Sequence, residues 1–206
     1  MIMKNYKAKY EPKSLAEMVI HDPDNVIMPI LKKIACGQIN QNLLLYGTNG
    51  TGKTTLAKVL TSQFYQAYGE TDSTQHVQMA NEIDSRNYDV NKTLWHSSSS
   101  NVGWHILDEV DKCNHKNMYH ILHHTLDNKH GHNYILTANH LHNIPNGIQS
   151  RARPLPIECP TPAEFLPRAQ FILQKEGIQV SAGKILAMLS AGEQDLRRYY
   201  DALELL

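Results

Sequence analysis

The sequence predicts an α/β fold in which a five-stranded parallel sheet carries helices on both faces and is followed by a small three-helix lid. Short apolar segments alternate with longer segments of helical periodicity, and this alternation is typical of parallel sheets. Between the first predicted strand and helix lies the consensus G-x-x-x-x-G-K-[ST], the P-loop. After "ECPTP" at 158–162 no further strand is predicted, and only helical patterns follow.

The predicted elements divide the chain into two domains. The predicted strands are Asn42–Tyr46, His76–Ala80, Gly103–Asp108, Tyr134–Ala138 and Leu155–Glu158. The predicted helices are Lys53–Tyr68, Asn87–His96, Asn114–Lys129, Pro162–Lys175, Ser181–Ser190 and Glu193–Leu206. Pro160 and Pro162 interrupt both patterns and mark a linker. We therefore predict an α/β domain over residues 1–159 and a helical lid domain over residues 160–206.

The composition is that of an ordinary globular protein, with 41% hydrophobic and 19% charged residues. The 20 lysines and arginines balance the 20 aspartates and glutamates, so no global basic field indicates a nucleic-acid binder, although a local basic face stays open. The three cysteines lie far apart, which is typical of a reduced cytosolic chain. No apolar run approaches the roughly 20 residues that span a bilayer, and the N-terminus has no apolar signal core. We predict a soluble, cytoplasmic protein.

The segment "GTNGTGKT" at 47–54 predicts a phosphate-binding loop. Its glycines let the backbone bend, and successive N–H groups at a helix N-terminus form a nest that favours a polyanion such as a triphosphate. Lys53 is expected to reach the β- and γ-phosphates, and the Thr54 hydroxyl to hold Mg²⁺. The residues predicted to bind ATP in this loop are Gly47, Thr48, Asn49, Gly50, Thr51, Gly52, Lys53, Thr54 and Thr55.

Polar side chains follow two of the later predicted strands. The strand in "GWHILDEVDK" ends in Asp108 and Glu109, at the sheet edge where open α/β sheets bind ligands. Asp108 suits the Mg²⁺ site, and Glu109 is the candidate base that activates water. The next strand ends at Asn139, which we expect to orient water near the γ-phosphate. A solvated acidic turn and a turn asparagine are the alternatives for these positions.

Together these motifs resemble an AAA+ ATPase and, more narrowly, the small motor subunits of sliding-clamp loaders (the replication factor C small subunits). "KYEPKSLAEMV" at 9–19 is similar to the family's segment near the adenine, which assigns Val19 to the nucleotide pocket. "YILTAN" resembles the sensor 1 strand. "IPNGIQSRARPLPI" matches Arg151 to an arginine finger that enters the neighbouring subunit's ATP site, and "GEQDLRRYYDALELL" matches Arg197 to the sensor 2 arginine.

The resemblance implies a mechanism and a set of partners. ATP and Mg²⁺ are the expected cofactors, and Glu109, Asn139, Arg151 and Arg197 the expected catalytic residues. The implied function is an ATPase of DNA replication that couples ATP to loading of a sliding clamp on primed DNA. Its partners would be other clamp-loader subunits in a ring, the clamp and primed DNA. Since Arg151 would serve a neighbour, we expect slow hydrolysis by the isolated chain. The match covers the AAA+ module only and includes no counterpart of the family's collar.

The sequence departs from the family pattern at Glu11 and at a pair of histidines. Glu11 stands where the family usually has arginine. His123 and His124 replace an arginine pair on a helix that, in the family, tracks template phosphates. Neutral histidine binds phosphate poorly, so DNA contact is expected to be weak, pH-dependent or left to partner chains. His120 shares this helix face at metal-ligand spacing, but no cysteine or carboxylate pattern completes a zinc motif, which favours a polar surface.

Three other functions remain open on sequence grounds. Another AAA+ remodeller, such as a helicase loader or a branch-migration motor, would share most of these motifs. A P-loop phosphotransferase such as a nucleotide kinase would not need Arg151 or Asn139. A nucleotide-gated interaction module that binds ATP and hardly hydrolyses it would have no need of Glu109.

Overall fold

The computed structural model describes residues 5–68, 77–80, 103–112, 119, 122–123, 126–127 and 132–206. The strands are β1 (Leu43–Tyr46), β2 (Val77–Met79), β3 (Gly103–Asp108), β4 (His132–Ala138) and β5 (Arg153–Pro156). The α-helices are α1 (Tyr6–Lys9), α2 (Ile27–Ala35), α3 (Lys53–Ala67), α4 (Asn146–Gln149), α5 (Pro162–Lys175), α6 (Ala182–Ser190) and α7 (Leu196–Glu204). Single 3-10 turns occupy Leu15–Glu17, Val110–Lys112 and Leu141–Asn143.

The strands form one five-stranded sheet in the order β2-β3-β4-β1-β5, and every neighbouring pair is parallel. The predicted fold class is therefore confirmed. The predicted helix at 87–96 lies outside the described residues, and so does most of the one at 114–129. Within the described part of the chain, no helix combines the length and hydrophobicity that crossing a bilayer requires.

Both faces of the sheet are covered, as expected for parallel strands. A hydrophobic core lies on each side of the sheet. Alternate residues of β1 belong to different cores, Leu43 and Leu45 to one and Leu44 to the other. The core on the first side includes Leu31, Ile34, Leu56, Leu60, Phe64 and Ile106. The core on the second side includes Leu107, Leu122, Leu126, Leu136, Ile144 and Ile148.

The edge strand β5 begins two residues before the predicted segment, at Arg153 rather than Leu155. Its register pairs Leu43 with Arg153 and Leu45 with Leu155. Proline lacks the N–H that a central strand donates to its neighbours, but an edge strand leaves one side unpaired. Pro154 and Pro156 are therefore accommodated in this strand, although they argue against a strand when the sequence is considered alone.

The lid has a third core of its own, to which the N-terminal helix also contributes. Phe165 of α5, Ile185 of α6 and Tyr199 of α7 pack with Tyr6 of α1. A capping box starts α5, with the Thr161 hydroxyl accepting from a backbone N–H of the first turn. The N-terminal segment therefore joins the sheet domain to the lid, and the space between these three parts forms a cleft.

Candidate active site

A cleft bordered by the P-loop has a volume of about 450 Å³, in the range of small-molecule sites. It lies at the carboxyl ends of the strands, where open α/β sheets bind ligands. The N-terminal segment, the P-loop and the lid each supply part of its wall. The predicted residues that line it are Val19, Asn49, Gly50, Gly52, Lys53, Thr54, Thr55, Asp108, Glu109, Asn139 and Arg197.

Two positions of the P-loop require glycine, because φ is positive at each and another residue approaches closely. At Gly47, φ is 152°, and a Cβ atom would lie 2.1 Å from the carbonyl oxygen of Ile157. At Gly50, φ is 76°, and a Cβ atom would lie 2.1 Å from the carboxyl carbon of Asp195 in the lid. Such conformations are open to glycine but costly for residues with side chains. The loop therefore bends tightly beneath the lid, while Thr51 is buried and donates to the Thr48 carbonyl at 3.2 Å.

The Lys53 ammonium group is enclosed at the base of this loop. It donates to the carbonyl oxygens of Gly47 and Thr48, both at 2.7 Å, and to Asn139 Oδ1 at 3.2 Å. These three acceptors use all three of its protons. Burial lowers the pKa of Lys53, whereas the negative charge of Asp108 acts in the opposite direction. An anion entering the cleft therefore meets a buried cation held by neutral groups.

Thr54 and Asp108 come together although they lie on different elements. The Thr54 hydroxyl lies 2.9 and 3.0 Å from the two carboxylate oxygens of Asp108. Thr137, which sequence reasoning missed, is buried in β4 and donates its hydroxyl to the same carboxylate. The Thr137 oxygen also accepts the Glu109 N–H at 3.0 Å. These hard oxygen donors fit Mg²⁺.

Glu109 sits directly after β3 in a left-handed conformation, with φ at 57°. This conformation is uncommon for a residue with a side chain and is found at turns and functional sites. Its Oε1 atom accepts a hydrogen bond of 2.8 Å from the Lys112 ammonium group. The candidate base therefore lies at the cleft wall and is paired with a cation three residues along the chain.

Asn139 is held in place by Asp111 of the 3-10 turn that follows β3. Asp111 Oδ2 accepts the backbone N–H groups of Asn139 at 3.0 Å and His140 at 3.2 Å. The Asn139 side chain then faces Lys53 across the cleft. The ends of two neighbouring strands are therefore cross-linked by side-chain hydrogen bonds.

The lid contacts the P-loop directly through the start of α7. The Leu196 N–H donates to the Gly50 carbonyl at 2.9 Å, and Asp195 is the helix N-cap, accepting from the Arg197 N–H at 2.7 Å. The helix begins at Leu196 rather than at the predicted Glu193 because the cap fixes its start. Arg197 follows one residue later and lines the cleft.

Arg168 of α5 is a second residue that sequence reasoning missed. It lines the cleft beside Val19, and its Nη2 atom donates to the Tyr10 carbonyl at 2.9 Å. It is 11% exposed, and its Nε atom is buried with no partner among the described residues. No local motif surrounds it, and two of its polar partners, Tyr10 and Glu17, come from the opposite end of the chain.

Arg151 lies apart from these groups. It is not among the described residues that line the cleft. Its Nε atom donates to Asp127 Oδ1 at 2.7 Å, and its Nη1 atom to the Gly147 carbonyl at 2.9 Å. One third of the Arg151 side chain is exposed. Nearby, the His123 ring packs against Gly147, while His120 and His124 lie outside the described residues.

The chain is an α/β P-loop protein, because a glycine-rich loop joins β1 to α3 and the acidic end of β3 lies beside that loop. It belongs to the ATPase family associated with various cellular activities (AAA), whose model matches residues 43–155, more than half of the chain.

Named relatives confirm the resemblance to replication factor C small subunits. Replication factor C small subunit of Thermofilum pendens is 31% identical over 95% of this chain and 60% of its own length. Replication factor C small subunit 2 of Pyrobaculum aerophilum is 29% identical over 96% of this chain and 62% of its own. Replication factor C subunit 3 of Arabidopsis thaliana is 26% identical over 95% of this chain and 64% of its own length. The chain thus spans about three fifths of the length of these relatives.

Among solved structures, the Thermotoga maritima RuvB Holliday junction branch migration motor is similar, with a TM-score of 0.74. The match covers 95% of this chain and 64% of RuvB, at 17% sequence identity. At that identity the likeness concerns the fold alone.

Proposed function

We propose that the chain binds ATP with Mg²⁺ in this cleft, hydrolyses it, and acts as a clamp-loader subunit in DNA replication. The observation that carries the hydrolysis proposal is the convergence of Lys53, Thr54, Asp108, Glu109 and Asn139 in one cleft. The proposal of clamp loading is supported by the relatives named replication factor C, which align with nearly the whole chain.

Each group has a chemical role in the proposed reaction. Lys53 neutralises charge on the phosphates, and Glu109 accepts the proton of the attacking water. Asn139 orients that water, and Arg197 contacts the nucleotide from the lid. Thr54 and Asp108 would hold Mg²⁺, which neutralises phosphate charge when bound.

Arg151 completes the site in trans. A guanidinium group near the γ-phosphate stabilises the charge that develops during phosphoryl transfer. The position of Arg151 outside the lining of its own cleft supports delivery to a neighbouring subunit. In P-loop enzymes such an arginine is worth roughly 10³- to 10⁵-fold in rate, so the isolated chain would hydrolyse ATP slowly.

The nucleotide-binding domain would comprise residues 1–159 and the lid residues 160–206. The third core, in which the three helices of the lid pack together and against Tyr6 of α1, supports a boundary near residue 160. The Leu196–Gly50 contact would let the lid respond to the nucleotide. The ring partners would be other clamp-loader subunits, with a sliding clamp and primed DNA as the objects on which the ring acts.

Phosphate release tests this function. We expect slow ATP-dependent release from the chain alone and strong stimulation when partner subunits, a sliding clamp and primed DNA are added together. Lys53→Ala is the background control. Transfer of phosphate to a nucleotide acceptor would instead identify a kinase. Tight ATP binding without hydrolysis under every condition would identify an interaction module.

A further inference from the structure

A buried asparagine lies at the end of the sheet opposite the ATP cleft. Asn42 directly precedes β1 and is 1% exposed. Its Oδ1 atom accepts the Tyr134 N–H at 3.0 Å, and its Nδ2 atom donates to the carbonyl oxygens of Arg151 at 3.1 Å and Leu126 at 3.4 Å. A side-chain amide carries two donor protons and an acceptor oxygen, so one neutral group makes all three contacts.

These contacts hold the backbone on both sides of the residue after Arg151. The Arg151 N–H donates to the Ile148 carbonyl of α4 at 3.0 Å, while the Arg151 carbonyl accepts from the Asn42 side chain. Two residues further on, the Arg153 N–H donates to the Asn42 backbone carbonyl at 2.9 Å. Ala152 between them is buried. The backbone at Arg151 therefore cannot shift without breaking buried hydrogen bonds, which are costly to lose.

The Arg151 side chain is held much less firmly than its backbone. Its guanidinium group pairs with Asp127, and both side chains of this pair are partly exposed. Exposed ion pairs contribute little to stability, so the guanidinium group can leave Asp127 at a small cost in free energy. The Asn42 contact is buried and does not depend on that pair. The side chain can therefore reorient while the backbone from which it extends stays in place.

An arginine that serves a neighbouring subunit has no covalent link to the site it completes. The position of its backbone in its own chain therefore decides where the guanidinium group arrives, and a misplacement of about 1 Å can cost about 100-fold in rate. We propose that Asn42 is the positioning residue of the arginine finger, because it fixes the backbone from which Arg151 reaches the neighbouring site. This inference rests on the proposed function, in which Arg151 acts in trans.

The test moves Asn42→Ala between the two chains of a complementing pair, with partner subunits, clamp and primed DNA present. The donor chain carries Glu109→Gln and contributes Arg151, and the acceptor chain carries Arg151→Ala and contributes the intact cleft. With Asn42→Ala in the donor chain, the phosphate release recovered by the pair should fall about 10- to 100-fold. With Asn42→Ala in the acceptor chain, most of the recovered rate should remain, because the cleft of that chain lies at the other end of β1.

Asn133→Ala is the matched control, since Asn133 is another buried asparagine at the same end of the sheet and its amide donates to Asn40. It should leave the recovered rate unchanged in either chain. Asn42→Ser leaves room for a water molecule in place of the amide, and it replaces Asn42→Ala in both arrangements if that variant folds poorly.

Equal losses in the two arrangements would overturn the inference, because a residue that only stabilises the sheet affects both chains alike. An unchanged rate with the substitution in the donor chain would also overturn it. In both cases recovery by the parent pair, Glu109→Gln with Arg151→Ala, leaves the proposed function standing. Failure of the proposed function has a different signature, because Arg151→Ala alone would then keep the wild-type stimulated rate.

Discussion

The two ends of the proposed shared site differ in how their cations are held. Lys53 is 8% exposed and donates to three acceptors within one folded unit. Arg151 is one-third exposed and pairs with Asp127, which is itself 52% exposed. The first arrangement is fixed before any ligand arrives. In the second arrangement another anion can replace Asp127 at a small cost in free energy, because exposed ion pairs contribute little to stability.

This difference is what the proposed sharing of sites between neighbouring chains requires. A phosphate-binding lysine must be preorganised, since reorganising a buried cation during the reaction would cost energy. An arginine that serves a neighbour must remain accessible until the neighbour arrives. The contrast predicts that changes at Lys53 strongly weaken ATP binding by the chain itself. Changes at Arg151 should affect hydrolysis only when subunits are assembled.

The largest effect is expected for Lys53→Ala. The variant removes the buried cation that would pair with the phosphates, and hydrogen bonds to charged groups contribute about 1.5–3 kcal/mol. ATP affinity should fall about 10- to 100-fold in a direct binding titration. Lys58→Ala is the matched control, because Lys58 lines the same cleft from the same helix but is not part of the P-loop. Its loss should be smaller, and an unchanged affinity in Lys53→Ala would remove the assignment of the phosphate site.

A smaller effect, on stability, is expected for Thr137→Val. The change keeps the side-chain shape but removes one of the two hydroxyl donors to the Asp108 carboxylate and leaves the Glu109 N–H without its acceptor. Such losses cost about 1–3 kcal/mol each, and denaturant unfolding should show a decrease of that size. Thr61→Val is the matched control, since that buried hydroxyl donates only to the Lys58 carbonyl of its own helix. Equal stability losses in the two variants would mean that Thr137 has no special role at the strand ends.

The parts of the site that could be predicted from sequence are those whose residues are neighbours along the chain. The P-loop is such a case, because loop, lysine and helix start are specified by eight consecutive residues, 47–54. Asp108 and Glu109 could be assigned because an apolar strand leads directly to them. Periodicity likewise predicted Gly103–Asp108 and Pro162–Lys175 with the bounds that the structure has.

The parts that could not be predicted depend on contacts between distant segments. Thr137 lies 29 residues from Asp108, and only the pairing of β3 with β4 brings them together. Arg168 contacts Tyr10 from 158 residues away. The Lys112–Glu109 pair is local, but it follows from the left-handed turn at Glu109, which no glycine signals. The edge position of β5, which tolerates its prolines, is also a property of the whole sheet.

The central claim is that Arg151 completes a neighbouring subunit's site, and a mixing experiment tests it most directly. Arg151→Ala keeps its own base but supplies no arginine, whereas Glu109→Gln supplies Arg151 but has no base. With partner subunits, clamp and primed DNA present, each variant alone should lack stimulated phosphate release, and their mixture should recover it. Recovery is expected because Arg151 of the Glu109→Gln chain can reach the intact site of the Arg151→Ala chain. A wild-type stimulated rate in Arg151→Ala alone, or no recovery from two folded, ATP-binding variants, would contradict the account.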